Sequence, residues 1–465
     1  MSIEELLDLD NEIMGNEFVI YEKDLMIWPL IRWDVLSYLQ RIKAKTKSPH
    51  AHHSKLTLKN VSYIYYSFKY APHRLKQKYA ICYFCNARGR LNNKNFNTDT
   101  DYYTSLFPKI LVIDNSYRGK YYIPDNTDNF ATGEFGILKA FLLGRIKRTL
   151  AIKRNRSIEQ FIDFLKTKKS FNAYFINAIR NKIYNIYYGY DYYKSYFIKV
   201  FKKLSPQIVF IRGSTYGGYY SILLSLAKEN GIITGEFQHG NIYEDHVAYN
   251  YGDAIFKSES YKKYLPDYVL TFGDYWNNKI KMPSKKITIG YPHYSESLKK
   301  YQKIKPESNT ILIISQGTIT EKFVEIAKYL AVNLPNYKIV FKLHPGEVPF
   351  EERYKELHNY VNVDVVKSGD IYEYIARAEK IVAWNSTAIF EALNFNKELY
   401  ILDNELSNTV IPKEIGIRFK ENEELISKVN TFKSINNLEQ YFNPNWKENY
   451  RKFLEEEIGL KNSIK

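Results

Sequence analysis

From about residue 206 onward, short apolar runs of strand length alternate with longer stretches of helical period. PQIVFIRG (206–213), IITGEFQHG (232–240), PDYVLTFG (266–273) and KKITIGYP (285–292) read as strands, with STYGGYYSILLSLAKENG forming a turn and helix between the first two. The last third repeats the scheme. TILIISQG, YKIVFKLHPG, VNVDVVKSG, KIVAWNS and ELYILD read as strands, and the spacing predicts helices over 320–333, 350–359, 370–378 and 387–395. Apolar strands interleaved with amphipathic helices predict parallel sheets covered on both faces.

The first half differs. Residues 1–46 have mixed helical spacing, with Trp28, Ile31, Leu36 and Leu39 among the apolar positions, and SPHAHHS (48–54) is a polar break. His50, His52 and His53 in that break read as linker residues rather than as a metal set. YAICYFC and KILVID are strand-length runs, and 135–204 is a long helical, basic and aromatic stretch. The expected division is a helical segment over 1–78, a Rossmann-like domain over 79–295 with 135–204 inserted, and a second Rossmann-like domain over 296–465. The fold class is α/β: two facing Rossmann-like domains with parallel sheets, plus the N-terminal helical segment. At 465 residues two domains are also what chain length alone favours.

The charge adds one further feature. The formal net charge is +16, concentrated in residues 41–78 and in GRIKRTLAIKRNR (144–156). With 43 tyrosines and 27 phenylalanines, aromatic and basic residues interleave in SYIYYSFKY and YNIYYGYDYYKSYFIKVFKK. That composition suits an anionic membrane surface as a partner. A non-catalytic basic scaffold that binds nucleic acid or membrane is the alternative of another class, although no nucleic-acid partner is expected. The acidic start MSIEELLDLDNEIMG lacks the pattern of a signal peptide, and no apolar run has the length of a spanning helix. The expected location is therefore cytoplasmic, peripheral at the inner face of the membrane. Cys82 and Cys85 lie within an apolar run and read as buried thiols, without the second pair a zinc set needs.

In doubly wound sheets, ligands bind outside the carboxyl ends of the strands. Here those ends carry RGSTYGG (212–218), QHGNIYEDH (238–246), SQGTIT (315–320), KLHPGE (342–347) and WNSTAIFEAL (384–393). Ser386 and Thr387 precede a helix, where hydroxyls cap the first turn and free N–H groups favour a phosphate. Glu391 follows one turn on, in reach of ribose hydroxyls. Pro345 biases His344 toward extended backbone at a sharp strand exit. Gln316, Gly317 and Thr318 offer backbone N–H groups to a diphosphate. Lys342 and Arg212 flank these loops as partners for phosphate or an acidic sugar, and Ser214 stands with Arg212 on the phosphate side.

The ordered set Gln-His-Gly, then His-Pro, then Ser-Thr before a helix with a glutamate resembles bacterial surface-polysaccharide glycosyltransferases of the GT-B fold. The capsule Kdo transferases, the bacterial sialyltransferases and the CDP-glycerol glycerophosphotransferases are the groups it is similar to, over roughly residues 205–400. The resemblance implies that His344, Pro345, Ser386 and Thr387 contact an activated nucleotide donor. CMP, CDP, UDP and GDP all remain open as that nucleotide.

Transfer to a hydroxyl requires a base. His239 is the first choice, with Glu244 and Asp245 as rivals, and Gln238 and Gly240 complete the acceptor side. No cofactor and no metal are called for. Asp99 and Asp101 form D-x-D, but no apolar strand precedes them, so the motif reads as a polar loop. GSTYGG is neither G-x-G-x-x-G nor a P-loop, and neither H-E-x-x-H nor G-x-S-x-G occurs. The expected activity is transfer of a sugar from a nucleotide-sugar donor to a glycan or lipid-linked glycan acceptor. Polyol-phosphate transfer from a CDP-linked donor is the alternative, and a nucleotide-sugar epimerase a further one.

Overall fold

A computed structural model describes residues 3–43, 59–85, 89–91, 94–107, 109–116, 119–151, 154–431, 433 and 438–460. The 48–54 histidine segment lies outside the described residues.

The first sheet has seven strands, all parallel: β1 (Ile81–Cys85), β2 (Ile110–Asp114), β3 (Phe130–Thr132), β4 (Ile208–Ile211), β5 (Ile233–Phe237), β6 (Tyr268–Thr271) and β7 (Lys285–Thr288). Every residue of β1, β2 and β4 is buried. Near-continuous apolar strands of this kind are what two covered faces require. The spatial order is β3-β2-β1-β4-β5-β6-β7. The second sheet holds β8 (Thr310–Ile314), β9 (Lys338–Lys342), β10 (Val363–Val366), β11 (Lys380–Ala383), β12 (Glu398–Leu402) and β13 (Ile417–Phe419), in the order β10-β9-β8-β11-β12-β13. Each sheet thus winds outward in both directions from one point, as dinucleotide-binding sheets do. The strand order reverses between β1 and β4 in the first sheet and between β8 and β11 in the second. The expected class, two Rossmann-like halves facing each other in a GT-B-like arrangement, is the observed one.

The N-terminal helices α1 (Ile3–Gly15) and α2 (Trp28–Lys43) pack behind the loop that follows β5. Buried Asp10 is the anchor. It accepts from Trp28 Nε1 at 2.8 Å and from the Arg32 guanidinium at 2.6 Å, while Arg32 Nη2 donates to the Asn250 carbonyl at 2.7 Å. Helix α3 (Lys59–Lys69) follows. The 135–204 stretch divides into α4 (Glu134–Thr149), α5 (Arg156–Thr167) and α6 (Ala173–Leu204), because Asn155 and Asn172 cap new helices by accepting the N–H of Ile158 and of Phe175. Tyr184, Tyr188, Tyr190, Tyr193 and Tyr196 of α6 are buried. This half of the aromatic-basic pattern therefore forms core instead of an interfacial anchor, since α6 fills the space between the sheet and the outer helices.

The chain end departs from the expected 296–465 unit. Helix α7 (Trp446–Lys452) and the turn after it return to the first sheet. Trp446, Tyr450 and Phe453 join a core cluster with Tyr83, Phe210 and Leu270, and the Tyr450 and Tyr83 hydroxyls are hydrogen-bonded. That face of the first sheet is apolar on several strands, and this aromatic segment covers it.

Candidate functional site

The two halves meet at their strand ends. The Asn241 side-chain amide, on the loop after β5, donates to the Asn385 carbonyl, on the loop after β11, at 2.8 Å. A Cβ placed on Gly240 would lie 4.0 Å from Thr387 Oγ1. Aromatic contacts extend the seam: Phe390 lies 4.8 Å from Trp276, centroid to centroid, and the Asn394 amide donates to the Tyr294 hydroxyl at 2.7 Å. The loops that carry His239 and Ser386 therefore meet at the seam.

On the first half, the carboxyl ends of β1, β4, β5 and β6 surround a hollow lined by Cys85, Asp99, Arg212, Gln238, His239 and Tyr291, among others. Arg212 Nη1 pairs with Asp99 Oδ2 at 2.6 Å. Asp99 is thus a lining residue of the hollow, and the reading of residues 99–101 as a plain polar loop is corrected. The backbone brings it there because the Asp99 N–H donates to Asn97 Oδ1 at 3.0 Å and Asn97 Nδ2 donates to Asp114, at the end of β2, at 2.9 Å.

His239 is enclosed, and burial followed by the charge of Arg212 pushes its imidazole down to about 4. Behind it, His246 is pushed down to about 3 by burial and by His239. Both rings belong to an aromatic cluster with Trp33, Tyr216 and Tyr249; Tyr216 lies 4.4 Å from Trp33 and 5.6 Å from His239, centroid to centroid.

Several acceptor-side candidates serve the architecture. Gln238 is buried; the Phe272 N–H donates to its Oε1 at 2.8 Å and its Nε2 donates to the Gly240 carbonyl at 2.9 Å, which fixes the loop to the end of β6. Ser214 donates to Glu236 Oε2 at 2.5 Å. Glu236 was not singled out from the sequence. It is fully buried, and it also accepts from the Thr215 N–H at 3.0 Å and the Tyr249 hydroxyl at 2.8 Å. Burial raises its carboxyl nonetheless. A lone carboxylate within the apolar run ITGEF is the signal that could have found it, since a strand buries a charge only among partners. Glu244 points to solvent and pairs with Lys279 at 2.7 Å. The Asp245 carbonyl accepts from Gln40 Nε2 at 2.6 Å.

On the second half, Gln316 Oε1 accepts the Asn385 N–H at 3.2 Å, joining the loops after β8 and β11 at the reversal point of the sheet. Gly317, Thr318, His344 and Pro345 are exposed; Ser386 and Thr387 are half-buried. Ser386 Oγ accepts the Ala388 N–H at 3.3 Å. The Gly346 N–H donates to His344 Nδ1 at 3.0 Å, which leaves the proton of the neutral ring on Nε2 and makes that nitrogen a donor.

Glu347, also not singled out from the sequence, is the counterpart of Glu236. It is buried and accepts from Ser315 Oγ at 2.9 Å, from the His344 N–H at 2.8 Å and from the Tyr354 hydroxyl. Lys342 is buried at the end of β9, which lowers its ammonium pKa. Glu391 is buried too. Desolvation lifts its carboxyl to about 7 against a hydrogen bond from Tyr372. Lys342 and Glu391 are therefore buried, whereas the other donor-side candidates are exposed or half-buried.

Among the described residues, no group of three or more His, Cys, Asp or Glu is arranged to hold a metal ion, and no helix is long and apolar enough to cross a membrane.

No protein-family model and no curated protein sequence matches the chain. Solved structures resemble it at low identity. UDP-GlcNAc 2-epimerase from Neisseria meningitidis, bound to UDP-GlcNAc, is 13% identical over 80% of this chain and 99% of that chain, with TM-score 0.46. UDP-GlcNAc 2-epimerase from Methanocaldococcus jannaschii, in complex with UDP-GlcNAc and UDP, is 14% identical over 57% of this chain and 80% of that chain, with TM-score 0.41. A variant of the wall teichoic acid polymerase TagF is 13% identical over 91% of this chain and 97% of that chain, with TM-score 0.44.

Proposed function

We propose that the chain is a metal-independent GT-B glycosyltransferase. It would move a sugar from a nucleotide-sugar donor held on the second half to a hydroxyl of a cell-surface glycan lodged on the first. One observation carries this reading. Buried side-chain polar atoms that lack a partner among the described residues gather where the hollow meets the seam between the halves: Arg212 Nε, and Oδ1 of Asn241 and of Asn385. Buried polar groups are ordinarily satisfied, so a concentration of orphans at one seam supports a polar ligand completing them.

In the proposed reaction the acceptor hydroxyl attacks the anomeric carbon, the bond from that carbon to the phosphate oxygen breaks, and the hydroxyl proton passes to His239. The nucleotide leaves with the negative charge. His239 is neutral at pH 7 and free to take a proton. Arriving donor phosphates offset Arg212 and raise the basicity of the ring. On the donor side, His344 Nε2–H, the backbone of Gln316, Gly317 and Thr318, and the hydroxyls of Ser386 and Thr387 are the groups available to the departing phosphate.

Thermal shift with CMP, CDP, UDP and GDP tests the donor side, since a ligand that binds the native state raises apparent stability. Incubation with donors linked to each nucleotide then shows which one is released. Release of CMP from a CDP-linked polyol identifies polyol-phosphate transfer instead. His239→Ala should abolish turnover while nucleotide binding persists; normal turnover in that variant overturns the assignment of the base.

A further inference from the structure

Helix α4 is built inside out. Its inward stripe is Gly136, Ala140 and Gly144, all buried against α6. At Gly144 the two helices are so close that an added Cβ would lie 2.7 Å from the Gly189 nitrogen. The large apolar side chains point the other way: Leu142 and Ile146 are each 58% exposed, and Leu150, just past the helix end, is 76% exposed. Neighbouring α3 repeats the arrangement, with Tyr63 and Ser67 turned inward and Ile64, Tyr65 and Phe68 outward. The two helices touch, the rings of Phe68 and Phe135 lying 5.5 Å apart. A helix on a globular surface normally shows water its polar face. Here two adjacent helices expose large apolar side chains among their cations, and exposed apolar patches mark interaction sites.

Charge selects the partner. Lys69, Arg74, Lys139 and Arg145 are exposed on the same two helices or directly after them. The Arg74 guanidinium lies 4.7 Å over the Phe68 ring. Glu134, the acidic residue in the first turn of α4, is not presented to solvent, since it accepts from Ser116 and Tyr121. Apolar side chains ringed by cations fit a surface that is greasy within and anionic at the rim.

We infer that the outward faces of α3 and α4 dock on an anionic phospholipid bilayer, with Leu142, Ile146, Ile64 and Phe68 entering the headgroup–acyl boundary and the lysines and arginines meeting the headgroups. This surface is separate from the cleft, and the inference does not depend on the transferase reading.

Sedimentation of the full chain with vesicles tests it, using pure phosphatidylcholine and a phosphatidylcholine–phosphatidylglycerol mixture. The chain should sediment with the mixed vesicles and much less with the neutral ones. The double variant Leu142→Glu/Ile146→Glu should bind mixed vesicles at least tenfold more weakly, as two apolar side chains no longer insert. The double variant Lys139→Gln/Arg145→Gln should lose about fivefold per cation. All four residues are exposed, so an unchanged circular-dichroism spectrum and melt report an intact fold. Three results overturn the inference: no vesicle binding by the wild type, equal binding by the Leu142→Glu/Ile146→Glu variant, or a dimer in light scattering that this variant dissolves, which would assign the face to a second copy of the chain.

Discussion

The two halves share a winding order and differ in how they treat water. Each sheet reverses direction once, and beside each reversal point a buried glutamate ties down a loop: Glu236 holds Ser214, Thr215 and Tyr249 in the first half, and Glu347 holds Ser315, the His344 backbone and Tyr354 in the second. In the first half the imidazoles of His239 and His246 are enclosed among aromatic rings, under a wall supplied by the N-terminal helices. In the second half His344, Gly317 and Thr318 stand open. One common frame thus yields a dry hollow and a wet shelf. A proton acceptor benefits from the first, because desolvation keeps it neutral. A charged nucleotide is more easily admitted by the second, because an open loop need not be dehydrated before the ligand arrives.

The clamps should break this comparison most visibly. Glu236→Ala leaves buried donors with neither protein nor water to receive them, and we expect a loss of about 3 kcal/mol or more in urea unfolding. Glu347→Ala strips an equally rich set near an exposed loop, where water can enter, and about 1–2 kcal/mol is expected. Equal losses would mean that the shelf is as dry as the hollow.

Opposite pH responses sharpen the contrast. The unfolded chain protonates His239 near 6.5, while the folded ring refuses the proton until about 4. Its contribution is therefore full above 6.5 and drains as pH falls toward 4, by up to about 3 kcal/mol. His246→Phe should flatten part of this acid slope, since His246 resists protonation in the same way down to about 3. Glu391 runs the other way. Its folded carboxyl keeps a proton up to about 7, whereas the unfolded one releases it near 4.5, so stability drains as pH rises between these values. Glu391→Gln should remove that slope and stabilise the protein above pH 7 by up to about 3 kcal/mol, measured by urea unfolding across the pH range.

Two smaller effects follow. Ser386→Ala removes the acceptor for the Ala388 N–H; a loss of about 0.5–1 kcal/mol is expected, with weaker nucleotide binding in a titration. Glu244→Gln should cost less than about 0.5 kcal/mol and leave turnover near normal, because its carboxylate is exposed beside Lys279. A large drop in turnover would return Glu244 to candidacy as the base.

Much of the cleft was legible because strand ends announce themselves. An apolar run that stops at Gln-His-Gly, His-Pro-Gly or Asn-Ser-Thr gives both the element and the loop where a ligand would bind. The partners of those loops were less legible. Asp99 joins Arg212 from a distant part of the chain, and nothing local to either residue announces the pair. Lys342 and Glu391 lie at suitable positions along the chain, yet their side chains are buried. The tyrosines of 184–203 and of 62–70 look alike as text. Most of the first set became core, whereas none of the second is buried and Tyr65 is exposed, because α6 is covered by other helices and α3 is not.

Alternating apolar runs and helical spacings determined two parallel, doubly covered sheets and the loops that end their strands, because burial on both faces leaves no other pattern. Which carboxylates become clamps and which apolar faces stay in water were decided only when each half packed, and which side chains converge across the cleft only when the halves docked. Those outcomes depend on contacts between segments far apart in the chain, and local pattern carries no record of such contacts.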